Sequence, residues 1–129
     1  MMATAIYRVA DDEANEHSYY RAIDGTECVD DYVQFTWAEA VSVNQVILYN
    51  QFSGQAPTAW DILVSTDGET WTKAAEISNV EWSENDLEGK TLDFELQENI
   101  IGLRVQIKAA NLIWGGYSIY GIEIWNTAA

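Results

Sequence analysis

The chain of 129 residues holds one cysteine, one histidine and one proline, and six basic residues against 21 acidic ones. Each scarcity excludes something. With Cys28 alone, no intrachain disulfide can form and no cysteine-based metal cluster can be built. With His17 as the only histidine, a zinc site would consist mostly of carboxylates, which structural zinc sites rarely do. The formal charge of −15 repels phosphate backbones and anionic lipid surfaces, so neither nucleic acid nor membrane is expected as a partner. No apolar run approaches the roughly 20 residues of a membrane helix. Gly115-Gly116 is too short for a phosphate-cradling loop. The opening MMATAIYRVADDE has neither the basic start nor the apolar stretch of a secretory signal. Two readings follow: an intracellular protein, or a domain of a longer secreted chain given a start methionine.

What is present is apolar alternation. Hydrophobic residues make up 48% of the chain, enough for a globular core, and its length suits one domain spanning 1–129. In YVQFTW (32–37), Val33, Phe35 and Trp37 alternate with Tyr32, Gln34 and Thr36, a half-buried strand pattern. Leu92, Phe94 and Leu96 do the same in TLDFEL, and Ile101, Leu103, Val105 and Ile107 in IGLRVQIK. YSIYGIEIW (117–125) turns Tyr120, Ile122 and Ile124 inward. Val46 to Tyr49 is apolar on both faces, as a central strand would be.

WDILVSTDGETWT (60–72) reads as a hairpin. Trp60, Ile62 and Val64 face inward, and Asp67-Gly68 predicts a tight type I′ turn with positive φ at both central residues. Both tryptophans, Trp60 and Trp71, read as buried packing. Turn-rich segments without helical period fall at 10–18, 25–31, 50–58, 78–90 and 109–116. Short strands so separated predict an all-β sandwich or jelly roll. Pro57, just before a strand, loses little by its missing N–H.

The order of these pieces is also a resemblance. AIDG (22–25), VQFTWAEAVSVNQVILYN (33–50), WDILVSTDGETWT, IIGLRVQIK and IYGIEIW follow one another as in a discoidin-type domain. The chain resembles the factor V/VIII type C superfamily and, within it, the family 32 carbohydrate-binding modules. That resemblance covers nearly the whole chain. It implies a jelly-roll sandwich of the galactose-binding-domain-like kind with about eight antiparallel strands. It also makes the double-tryptophan hairpin a scaffold element. Two departures stand out: TECVDD (26–31) lacks the Thr-x-Trp segment and longer loop of relatives, and Gly121-Ile122-Glu123 replaces their Glu-Ile-Glu.

Both departures fall where relatives hold a structural calcium. The resemblance implies as ligands the Arg21 carbonyl, the Asp24 side chain, Thr26 and the Glu123 carboxylate, hard oxygens of the kind Ca²⁺ takes. The alternative is that Asp24 shapes a turn before Gly25 while Glu123 is solvated. For sugar, the resemblance points to edge loops, here 11–20, 50–58 and 109–117. A sugar ring asks for an exposed aromatic face beside planar hydrogen-bonding groups. In NLIWGGY, Trp114 precedes two glycines and so sits in an irregular turn, either presented to a ligand or folded back over the sandwich end. His17, Tyr19, Asn50, Phe52 and Asn111 are the companion platform and rim residues. The family often sets a histidine, an arginine and an asparagine around galactose, and no loop arginine here matches.

Catalysis is not expected. His17-Ser18 are neighbours in sequence, whereas a triad is defined by geometry, and a bare sandwich has a shallow edge in place of a water-excluding cleft. The sequence thus reads as a non-catalytic module for a neutral glycan, galactose-type included. It would be a monomer within a longer, secreted or cell-surface chain, attached to a glycoside hydrolase or adhesin. The other reading is a discoidin-type protein-adhesion or interdomain structural module.

Overall fold

The computed structural model describes residues 4–7, 19–22, 31–50, 54, 56–83, 89–111, 116–119 and 121–128. They form eight strands: β1 Thr4–Tyr7, β2 Tyr19–Ala22, β3 Tyr32–Tyr49, β4 Pro57–Ser65, β5 Thr72–Ile77, β6 Lys90–Ala110, β7 Gly116–Ile119 and β8 Gly121–Asn126. Six make one sheet in the order β1-β8-β3-β6-β4-β5, and β2 pairs with β7. All pairings are antiparallel.

The sandwich arises because β3 and β6 are long enough to serve both layers. Tyr32–Thr36 of β3 lies against Gly102–Gln106 of β6, whose other edge carries β4 and then β5. Beyond the bend, Gln45–Tyr49 of β3 pairs with β8 on one side and with the first part of β6 on the other. At the corner Thr36 faces Gly102 while Val41 already faces Ile100, so β3 carries surplus residues opposite β6. Such bulges increase the local twist and turn a sheet over. The two expected strand pairs at 32–37 with 46–49, and at 91–96 with 101–108, are therefore two continuous bent strands.

One core fills the space between the layers. Phe35, Trp60, Ile62, Val64, Leu103, Val105 and Ile107 come from one side, and Val43, Val46, Leu48, Ile122 and Ile124 from the other. Each such side chain contributes on the order of 1.5–3 kcal/mol by leaving water. The period-2 reading holds for β4 and for the first part of β3. It slips at the corner of β6, where Ile100 and not Ile101 is inside; Ile100 and Leu103 are both buried, so the strand changes face between them. Residues 117–125 are likewise not one strand. β7 and β8 belong to different sheets.

The hairpin turn also differs from expectation. Gly68 has φ 81°, but Asp67 is not left-handed, so no type I′ turn forms. The loop is wider, with Val64 opposite Thr72 as the last pair. Asp67 Oδ1 accepts hydrogen bonds from the backbone N–H groups of Glu69 and Thr70, each at 2.8 Å, and from the Ser65 hydroxyl at 3.0 Å. The carboxylate organises the turn as an anion, and those bonds, that of Thr70 foremost, lower its pKa to about 2. Trp60 is fully buried as expected. Trp71 is not: its ring lies partly exposed on the outer face of the layer, over Gly102.

Candidate functional site

The sandwich edge is built from the loop bases upward. β4 starts at Pro57 opposite Ala110, the end of β6. One residue further out, the Asn111 N–H donates to the Ala56 carbonyl at 2.8 Å. The roots of the 50–58 and 109–117 segments are therefore tied side by side at Ala56–Pro57 and Ala110–Asn111. Two more bonds brace this root from behind: the Trp82 Nε1–H donates to the Pro57 carbonyl at 2.7 Å, and the Val80 N–H to the Thr58 carbonyl at 3.0 Å. On its far side the 109–117 segment enters β7, where Gly116 is opposite Ala22 and Ile119 opposite Tyr19. β2 is thereby drawn to the same segment, and Ile119 anchors the pair with its buried side chain.

The expected site residues divide accordingly. Asn111 stands at the loop root, partly exposed. Tyr19 opens β2 opposite Ile119. Asn50, expected on the rim, is 2% exposed and engaged by protein groups. It directly follows β3, so it lies buried at the end of the strand and not on a rim. His17, Phe52 and Trp114 lie outside the described residues, as do Asp24, Thr26, Gly115 and Tyr120.

Of the calcium set, Arg21 sits in β2 opposite Tyr117 and Glu123 in β8 opposite Ile47. Glu123 Oε1 accepts a hydrogen bond from the Tyr49 hydroxyl at 2.8 Å and a longer one, 3.4 Å, from Trp125 Nε1. Burial, then the hydrogen bond to Glu123 and its negative charge, push the Tyr49 hydroxyl up to about 12. The phenol thus holds the Glu123 carboxylate in one orientation. Among the described residues no three His, Cys, Asp or Glu side chains gather as a metal site.

A further group, assembled from three separate segments, lies on the outer face. Arg104 of β6 lies between the rings of Trp71 and Tyr32, its guanidinium carbon 4.0 Å and 4.1 Å from their centroids. The available signal was Tyr32, an aromatic on the polar side of an alternating strand.

Comparison with solved structures returns the same architecture on carbohydrate-binding modules. A chitosan-binding module from a Paenibacillus sp. IK-5 chitosanase/glucanase superposes with a TM-score of 0.65 at 17% identity, covering 97% of this chain and 94% of its own. The first family 32 module of a Clostridium perfringens family 31 glycoside hydrolase gives 0.63 at 15%, covering 96% and 94%. The family 32 module of AlyQ, solved with 4,5-unsaturated mannuronic acid, gives 0.62 at 14%, covering 96% and 93%. Among curated protein sequences none matches. The family model described as the F5/8 type C domain matches residues 5–123, and the chain belongs to that family.

Proposed function

We propose that this domain is a non-catalytic carbohydrate-binding module that takes a neutral glycan on its edge loops. The observation that carries the reading is the joined root of two of those loops, the Asn111–Ala56 hydrogen bond, with β2 brought to the same segment through Gly116. A rigid base under irregular loops is how a scaffold presents a binding surface. Trp114 supplies the stacking face, with His17, Tyr19, Phe52 and Asn111 as its companions, and Asn50 is buried at the end of β3. Calcium is held by the Arg21 carbonyl, Asp24, Thr26 and Glu123, and fastens the segment after β2 to β8. Its role is structural.

The domain acts as a monomer within a longer secreted or cell-surface chain. By holding substrate near a linked catalytic module it raises the effective concentration there, a gain that needs only modest affinity. The neighbouring modules' origin in a chitosanase/glucanase and a glycoside hydrolase supports this arrangement. Trp114→Ala is the test. Loss of glycan binding with an unchanged melting temperature supports the site. A loss of stability like that of a core tryptophan contradicts it, and glycan silence in a folded wild type moves the function to protein adhesion or interdomain packing.

A further inference from the structure

Of the six lysines and arginines, Lys73, Arg104 and Lys108 stand on one surface, the outer face of the β5-β4-β6-β3 layer. In a chain of charge −15 that concentration is unexpected. Positions 102, 104, 106 and 108 of β6 alternate with the buried Leu103, Val105 and Ile107, so they share the outer face. Trp71 covers Gly102. Arg104 comes next. Tyr32, opposite Gln106, flanks it on the other side. Trp71, Arg104 and Tyr32 therefore form a row along β6, two planar rings holding a planar cation between them.

The geometry has a chemical consequence. Arg104 Nε donates to Gln34 Oε1 at 2.8 Å, which with the two rings sets the plane of the guanidinium. With Nε engaged, the two terminal nitrogens are the donors that can meet a carboxylate as a fork. Tyr32 is 48% exposed, the one large hydrophobic side chain so exposed among the described residues. An exposed ring beside an oriented polar group is what a sugar's C–H face and substituents require. Further along the face lies an open cavity of about 360 Å³ lined by Ala59, Asp61, Lys73, Glu76 and Lys108 among others, a mixture of donors and acceptors for hydroxyls.

We propose that this outer face is a second glycan-binding surface, separate from the edge loops, and that its ligand is an acidic sugar whose carboxylate is held by Arg104 while its ring rests against the exposed edge of Tyr32. The proposal rests on the reading of the domain as a glycan binder. The negative charge of the whole chain does not forbid it. At physiological salt, charges beyond about 8 Å are largely screened, so a ligand carboxylate at Arg104 feels the guanidinium more than distant carboxylates. Of the nearer acids, Glu76 is paired with Lys73 at 2.9 Å, and Asp61 also acts on the Lys73 charge.

The test is a titration of the ¹⁵N-labelled domain with oligogalacturonate, with a neutral oligosaccharide of equal length, and with poly-glutamate. The Arg104 Nε–H and the backbone amides of residues 32, 71 and 108 are the reporters. They are expected to shift saturably with the uronate alone. Arg104→Gln is expected to weaken that response by about ten- to a hundredfold, the range of a lost charged hydrogen bond. Arg104→Lys, which keeps the charge and loses the fork, should recover it only in part, and Trp114→Ala should leave it intact. Melting curves of each variant show whether it is folded. Uronate shifts confined to the loops and abolished by Trp114→Ala would overturn the outer site while sparing the edge-loop reading. An equal response to poly-glutamate would overturn it in favour of an acidic-peptide surface. Silence of the face reporters with the uronate would overturn the outer site, whatever the loops do, and leaves the edge-loop reading to its own test.

Discussion

Replacing Gly102 by alanine probes whether the outer face is packed or merely decorated. The added Cβ would stand 2.7 Å from Trp71 Cη2, 3.3 Å from Cζ3 and 3.5 Å from Cζ2. Carbon atoms rest at about 3.5–4.0 Å, so the ring must withdraw by roughly 1 Å. Gly102 has no left-handed backbone, and alanine by itself reduces unfolded-state entropy, worth about 0.4–1 kcal/mol in favour of the variant. Against this stand overpacking of about 1–3 kcal/mol and a weakened stack on Arg104, about 0.5–1 kcal/mol at an exposed site. The net expectation is a loss of about 1–2 kcal/mol, or roughly 4–8 °C in Tm for a domain of this size. Urea denaturation of the two single variants and the pair, Gly102→Ala with Trp71→Ala, forms a cycle. With the ring gone, the alanine should be neutral or stabilising. An equal cost in both backgrounds would refute the packing argument.

Three further outcomes are expected. Ile62→Ala removes a fully buried β4 side chain from the common core and should cost about 2–5 kcal/mol by denaturant titration; a loss below about 1 kcal/mol would contradict a core shared by both layers. The Asp67 carboxyl, lowered from 3.8 to about 2, contributes stability that is present above pH 3.8 and lost as pH falls through about 2. An NMR titration of its side-chain carbon should find the low midpoint, and Asp67→Asn should flatten that limb of the pH profile. Calcium at a hundredfold excess over its Kd should stabilise the domain by about 2.7 kcal/mol, reversed by chelator. Glu123→Gln keeps an acceptor for Tyr49 and should remove most of that gain in a thermal melt. No shift in the wild type would argue against the metal.

Strands with one wet face were readable from alternation alone: Trp60, Ile62 and Val64 are inside, and Asp61 and Leu63 are more exposed. Alternation could not show that β3 and β6 continue through a corner. A bulge exchanges faces within a strand, so Ile100 and Ile101 trade roles with no change in composition. The turn at Asp67-Gly68 departs from the dipeptide's usual geometry for a related reason. The same dipeptide serves a two-residue turn or an aspartate-capped wider loop, and here the Ser65 hydroxyl and the N–H groups of Glu69 and Thr70 favour the latter. The meeting of the 50–58 and 109–117 roots depends on the pairing of Pro57 with Ala110, a contact remote in sequence. Asn50 looked like a rim residue because polar loop residues usually are, yet its neighbours bury it. The row of Trp71, Arg104 and Tyr32 draws one residue from each of three segments, and only the β3–β6 register and the empty Cα of Gly102 bring them together.

A glycan array read with and without calcium, for the wild type beside Trp114→Ala, tests the central claim most directly. The expected result is a defined set of neutral glycans bound by the wild type and lost in a variant that melts at the same temperature. An array without hits for the folded wild type, in either condition, would contradict carbohydrate recognition by the edge loops.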